Sequence, residues 1–425
     1  MAEKLSRRKL LRKGTQALVA GGVSVYAASA AEELVAESAL PSMPKGIDYY
    51  EKLGVSTFIN AAGTYTILTA STMPPEVQAA VALAAKKPVH LMELHQAAGN
   101  YLAGKLRCGG ALVTSGAAAA LTLGTAACMT LGNKDAIASI PTDVTGLKNE
   151  VIVQKSHRYE YDHAMRNCGV KVIEVETMEQ YENAFTEKTV MTNFFNAVEA
   201  PISREDWIRI AHKHGVPCFN DAAADVPPIS NLWNYTQMGF DLVAFSGGKG
   251  MRGPQCTGLL LGRKDLIEVA RLNNSPNSNA VGRGLKVAKE EIIGMVAAVD
   301  WFLAQDDAAM EFEFRKRANR IADHLKKIPT VETRVFIPPV ANHVPHLLVT
   351  YDPTRVKTTG YEVMRKMREG KPRVEINPGT GGAPASAGLP GGENTIIIGV
   401  WMLQPGEDLI VGRRLREVLQ SVVAA

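Results

Sequence analysis

The sequence predicts an α/β fold: a large, mostly parallel sheet followed by a smaller α+β domain. Three observations carry this. Apolar runs of strand length alternate with helical spacing over roughly residues 100–265, as in a parallel sheet covered on both faces. Four of those runs end in small or polar residues, where such sheets bind ligands. Beyond about residue 300 the pattern changes to long helices, separate strands and a Gly-rich loop. The expected division is a leader at 1–30, an N-terminal segment at 31–73, a large domain at 74–300 and a small domain at 301–425.

The leader contains "SRRKLLRKGTQALVAGGVSVYAASA". Arg7 and Arg8 precede a modest apolar run from Ala17 to Ala28, and Ala28-Ser29-Ala30 is a small-x-small cleavage pattern. Charge, apolar core and cleavage pattern in that order predict a twin-arginine export signal, so the export machinery is an expected partner and the periplasm the expected location. The alternatives are a basic amphipathic helix and a cytoplasmic protein. The chain's net charge is +4. Residues 1–30 hold six cations against Glu3, so the rest is slightly acidic. That weighs against nucleic acid as a partner. Five dispersed cysteines without a CxxC pattern predict neither a disulfide framework nor a zinc site.

Along the chain, "FINAAGTY" reads as strand then turn, and Pro74 to Leu106 has alanine-rich helical spacing. "GGALVTSGAAAALTLGTAACMTL" gives a strand, a Ser-Gly turn and a closely packed helix of small residues. "NEVIVQKSH" predicts a strand followed by a helix; "GVKVIEVE", "TVMTNFF", "VPCFNDAA" and "DLVAFSGG" predict further strands. "SREDWIRIAHKHG" is a helix between a Ser203 cap and a Gly215 stop. Two long helices run to Lys327; then come "HLLVTYD", a helix from Gly360 to Glu369, "RVEIN", a Gly-rich loop, "TIIIGVWML" and a last helix.

Four strand ends carry the chemistry. Ser115 and Gly116 open a helix whose free N–H groups favour a phosphate; taken alone they could equally be a packing turn. His157 follows a strand and is a candidate stacking ring or catalytic acid-base group; taken alone it is more often an ordinary polar surface residue. Asp221 ends an apolar strand, where a carboxylate needs a partner such as a protonated pyridine nitrogen; a helix cap is the plain alternative. Lys249 lies among glycines after another apolar strand, with Ser246 before it. A desolvated lysine can attack a carbonyl; a surface turn is again the plain alternative. Phosphate turn, ring-stacker, carboxylate and lysine follow in the order expected for pyridoxal phosphate (PLP) on a large α/β domain.

"FSGGKGMRGPQCTGLLLGRKDLI" resembles the lysine region of the selenocysteine-synthase-like PLP enzymes, which include selenium transferases and ammonia lyases. "FINAAGTY", "TSGAAAALTLGTAA", "VIVQKSHRYEYDHAMRNCG" and "GRGLKVAKEEIIGMVAA" extend the resemblance. It implies fold type I, with an active site at a homodimer interface. It implies Lys249 as the Schiff-base lysine, Asp221 at the ring nitrogen, and His157 near the ring face. Ser115, Gly116, Ala117 and Ser246 would hold the phosphate. Arg283 and Lys286 would bind anions, from the neighbouring subunit. Asn60, Arg252 and Arg373 complete the substrate-binding candidates, the arginines for a carboxylate or phosphate. Thr72 and Lys286 stand where the selenium transferase has arginine, and an export signal replaces its tRNA-binding region.

The expected function is a PLP-dependent lyase on a small amino-acid or amino-sugar-acid substrate. Lys249 would abstract the α-proton, and β-elimination would release ammonia and a keto product. The alternatives are a transferase (an aminotransferase or a selenium-transferase-like enzyme), a racemase, or an exported binding protein on an inactive PLP fold.

Overall fold

The computed structural model of the protein describes residues 46–196, 200–380 and 388–423. The expected twin-arginine leader, its cleavage pattern and residues 381–387 of the Gly-rich loop lie outside them. Contacts divide the chain into Met1–Thr57 and Phe58–Ala425. In the first unit, the helix Tyr49–Leu53 is capped by Asp48 and ends at Gly54, where φ is 69°.

The described residues of the second unit hold thirteen strands: β1 (Ile59–Asn60), β2 (Gly110–Thr114), β3 (Glu150–Gln154), β4 (Lys171–Val175), β5 (Thr189–Phe195), β6 (Cys218–Asp221), β7 (Leu242–Ser246), β8 (Gly258–Gly262), β9 (Glu332–Phe336), β10 (His346–Thr350), β11 (Val374–Glu375), β12 (Asn377–Pro378) and β13 (Thr395–Gly399). A seven-stranded sheet runs β2-β8-β7-β6-β5-β3-β4. β8 is antiparallel to both neighbours, and the remaining pairs are parallel.

Both faces of this sheet are covered, which is why its strands read as unbroken apolar runs. In β7, Val243 and Phe245 join a core with Trp207, Leu232 and Met295. Leu242 and Ala244 face the opposite core with Leu121, Leu123 and Phe219. The helix Ala117–Thr130 lies close to the sheet because Gly124 has no side chain; a Cβ there would be 2.4 Å from a Phe219 ring carbon.

The four-stranded sheet, β12-β13-β10-β9, is antiparallel throughout. Its core joins Leu347, Val349, Ile396 and Ile398 to Ile321, Val363, Val411 and Leu415 of the helices Asp307–Leu325, Gly360–Glu369 and Glu407–Gln420. β1 pairs with β11, Ile59 opposite Val374.

Two local expectations differ from the structure. The helical stretch from Pro74 to Leu106 is two helices, Pro75–Ala85 and Leu91–Lys105. Pro88 lies between them and lacks the N–H a continuous helix needs. After β3 the chain makes two single-turn 3-10 helices and the four-residue helix His163–Arg166, in place of a regular helix.

Candidate active site

The carboxyl ends of β2, β6 and β7 lie together, and the chemistry is built on them. After Ser246 the chain turns through Gly247–Gly253 and returns as β8. The glycines of this turn supply space. A Cβ on Gly247 would be 2.3 Å from the Met295 sulfur, on Gly248 2.7 Å from Gln255 Cα, and on Gly250 2.2 Å from the Val226 carbonyl oxygen. The turn is closed by Gly247 N–H donating to Thr257 O (2.8 Å) and Gly253 N–H donating to Gly247 O (2.8 Å). Lys249 is thereby half-buried. Burial pushes its pKa down, and the charges of Asp221 and Asp225 oppose the shift. No hydrogen bond or ion pair ties its amine among the described residues, so the nitrogen is available for chemistry.

Asp221 ends β6, beside Ala244 of β7, and is 2% exposed. Burial raises its carboxyl pKa; the Tyr159 hydroxyl, the Ala223 N–H (3.0 Å) and the charge of Lys249 favour the ionised form. Tyr159 stacks on Phe195 with centroids 4.3 Å apart, and Phe195 is the β5 partner of Asp221. A second buried carboxyl, Asp225, lies one turn on. It accepts hydrogen bonds from Asn196 and from Tyr235 (3.0 Å). Burial holds its pKa at about 6.

The turn after β2 faces Ser246. Thr114 and Ser246 both pair with Gly258 of β8, so Ser115 and Ser246 flank that residue. A Cβ on Gly258 would be 2.5 Å from the Gly116 carbonyl carbon. Gly116 begins the helix Ala117–Thr130 at φ 94°, with no side-chain cap and nothing within 4 Å of a would-be Cβ. Uncapped N–H groups at a helix start, with open space before them, suit an anion.

The other candidates are placed less uniformly. His157 is fully buried; its Nδ1 accepts from Phe195 N–H (3.3 Å) and its ring meets Phe194 edge-on at 4.6 Å. Tyr159, two residues later, is the ring that contacts Asp221. The Asn60 amide is committed to its own loop: it bonds the backbone of Ala62, Gly63 and Ala70 at 3.0–3.3 Å. Arg373 is paired with the buried Glu375 (2.8 Å), which Arg368 also holds, through both carboxylate oxygens. Arg283 and Lys286 are exposed, with no ion pair among the described residues. Arg252 donates to Thr72 O (2.8 Å) and Oγ1 (3.0 Å).

A family model described as L-seryl-tRNA selenium transferase (SelA) matches residues 58–337, more than half of the chain. The chain belongs to the SelA family. Among curated relatives, D-glucosaminate-6-phosphate ammonia lyase of Salmonella typhimurium is 27% identical over 399 residues, covering 87% of this chain and 98% of the relative. The 5'-C-glycyluridine monooxygenase-decarboxylase of a Streptomyces species is 27% identical over 342 residues, 77% of this chain and 83% of the relative. A solved D-glucosaminate-6-phosphate ammonia-lyase structure matches with a TM-score of 0.73 at 24% identity, covering 88% of this chain and 99% of that chain. SPT with a PLP internal aldimine matches at 0.53 and 13% identity, over 86% and 88% of the two chains. The fold is that of the fold type I PLP-dependent enzymes.

The residues present suit that cofactor on this structure's own terms. An unpaired, half-buried amine fits an aldehyde, a buried carboxyl fits a pyridine nitrogen, and an open helix start fits a phosphate. Tyr159 and Asp225 were not legible in the sequence. A tyrosine among "HRYEYDH" and a second aspartate in "NDAAADVPP" give no local signal, because what marks them is burial against Asp221.

Proposed function

We propose that this SelA-family protein is a PLP-dependent lyase that deaminates a small amino-acid or amino-sugar-acid substrate. The observation that carries this is the pairing of strand ends: Lys249, unpaired and partly desolvated after β7, beside the buried Asp221 of β6. The ammonia-lyase relative, alike over most of both chains, supports the elimination outcome.

Bound PLP would supply an amine-reactive aldehyde and an electron-accepting ring. Lys249 Nζ would be the group that holds it and, as a neutral amine, the base that takes the substrate's α-proton. The depressed pKa of Lys249 favours the neutral amine that this role needs. Asp221, whose ionised form the Tyr159 hydroxyl favours against the effect of burial, would keep a proton on the ring nitrogen. Ser115, Gly116, Ala117 and Ser246 would hold the phosphate, and His157 buttresses the β5 end by accepting from Phe195 N–H. Departure of a β-hydroxyl and hydrolysis give a 2-keto product and ammonia.

The test is an absorbance spectrum with and without borohydride, followed by a substrate screen for ammonia. A visible band that borohydride bleaches, and that Lys249→Ala lacks, is the expected result. A wild type that stays colourless with added PLP refutes the reading. The second reading is a transferase, favoured by the family model's own description. Amino-group exchange between an amino acid and a keto acid, without ammonia release, would establish it.

We also propose export through the twin-arginine leader; a leader–reporter fusion retained in the cytoplasm of an export-competent cell refutes it. The exposed, unpaired Arg283 and Lys286 support a homodimer in which they approach the neighbouring site. A monomeric mass by light scattering at working concentration refutes that.

A further inference from the structure

A cavity of about 120 Å³ opens beside the edge strand β2. It lies between the helices Leu91–Lys105 and Lys264–Asn273, with Asn274 and Ser275 closing one side. None of its lining residues belongs to the Lys249 site. Its lining has two characters. His95, Arg271 and Ser275 are polar and buried, whereas Met92 and Leu272 are apolar and 40% and 45% exposed. The cavity thus has a polar floor and an apolar rim.

The floor is fixed in place. Arg271 Nη1 donates to Gln96 Oε1 (2.7 Å) and Glu268 Oε1 (2.8 Å), and Nη2 donates to Ala111 O of β2 (3.1 Å). Gly99 makes room for this, since a Cβ there would be 2.3 Å from Nη2. The Ser275 N–H is taken by Asn274 Oδ1 (2.8 Å). What is left over is informative. Arg271 Nε, both ring nitrogens of His95 and the Ser275 hydroxyl have no hydrogen-bond partner among the described residues. Buried polar atoms in folded proteins are nearly all paired, so four unpaired ones around one cavity call for an occupant. Burial and the charge of Arg271 keep His95 neutral, its pKa at about 4, so its ring offers one N–H and one bare nitrogen. The floor therefore presents a guanidinium N–H, an imidazole N–H and a hydroxyl: more donors than acceptors, as an oxyanion requires.

We propose that this cavity is a second ligand site, for a small monocarboxylate with a short apolar tail. Its carboxylate lies among Arg271, His95 and Ser275, and its tail lies against Met92 and Leu272. The size agrees: a cavity of about 150 Å³ holds one benzene, so this one takes a molecule of roughly five non-hydrogen atoms. The charge agrees as well. Glu268 already offsets part of the Arg271 charge, which leaves the floor suited to a singly charged carboxylate and not to a phosphate dianion. Water would pair the floor but would gain nothing from the apolar rim. The site stands on its own residues and does not depend on the reading of Lys249.

The test is calorimetric titration of the PLP-loaded full chain with acetate, propionate and the neutral propionamide. Propionate is expected to bind about fourfold more tightly than acetate, the worth of one more buried methylene. Propionamide should bind about tenfold more weakly than propionate, for want of the charge. Ser275→Ala should weaken propionate by about three- to tenfold, the loss of one hydrogen bond. His95→Phe, a ring without nitrogens, should lose the site. Propionate should also shift the ring-nitrogen resonances of His95, assigned by their absence in His95→Phe. Both variants should keep the borohydride-sensitive band, because neither residue belongs to the Lys249 site. A wild type that does not bind propionate overturns the proposal. So does propionate that binds wild type and both variants alike, since it then sits elsewhere. Should His95→Phe fail to fold, Ser275→Ala decides, and affinity equal to wild type overturns the proposal.

Discussion

Asp221 and Lys249 show how burial sets chemistry one side chain at a time. Burial disfavours charge on both, raising the carboxyl and lowering the amine, and each charge offsets part of the other's shift. The Tyr159 hydroxyl tips Asp221 toward the carboxylate. Tyr159→Phe removes that donor, so the acidic limb of the activity–pH profile should move upward. A profile superimposable on wild type would show that Tyr159 only packs against Phe195. Asp221→Asn keeps the shape and removes the charge, so ammonia release should fall far more than PLP binding does.

The helix Ala117–Thr130 links packing to function at the scale of an element. Its small residues let it approach the sheet, and that approach sets its uncapped start beside Ser246 and Gly258. Gly124→Val would force a branched side chain against the buried Phe219 ring. A loss of about 1–3 kcal/mol is expected from such overpacking, read as a lower urea midpoint at unchanged slope. Gly258→Ala presses on the Gly116 carbonyl instead. It should release PLP more readily on dialysis while the urea midpoint moves less than for Gly124→Val.

Over the whole molecule, buried titratable groups shape the response to acid. His95 and His346 are buried, and burial holds each pKa at about 4; in His95 the charge of Arg271 adds to the effect. The unfolded chain takes up these protons near pH 6.5 and the folded protein only near 4. The unfolded state therefore binds more protons between those values, and stability falls as pH drops through that window, by up to about 3 kcal/mol per residue. Asp225 works in the opposite sense: its folded carboxyl keeps its proton up to about 6, so acidification through that range favours the fold. Urea midpoints at pH 7.5 and pH 5 should differ less in the His95→Gln/His346→Gln double variant and more in Asp225→Asn. A double variant with the wild-type pH slope would refute the assignment.

The sequence by itself determined the alternation of strands and helices, the strand ends at Thr114, Asp221 and, to within one residue, Ser246, and the order of Ser-Gly turn, carboxylate and lysine. Those are local features: apolar runs of fixed length, glycines at turns, and one charged residue where a buried strand stops. The sequence did not separate partners from bystanders. Asn60, Arg252 and Arg373 read alike as polar groups for a substrate, yet Asn60 holds its own loop, Arg373 pairs with Glu375, and Arg252 donates to Thr72. Tyr159 and Asp225 carried no local mark. Those distinctions belong to the tertiary structure, because a polar side chain is defined by what lies within hydrogen-bonding distance. For each of these residues, burial and contacts with chain distant in sequence decide it.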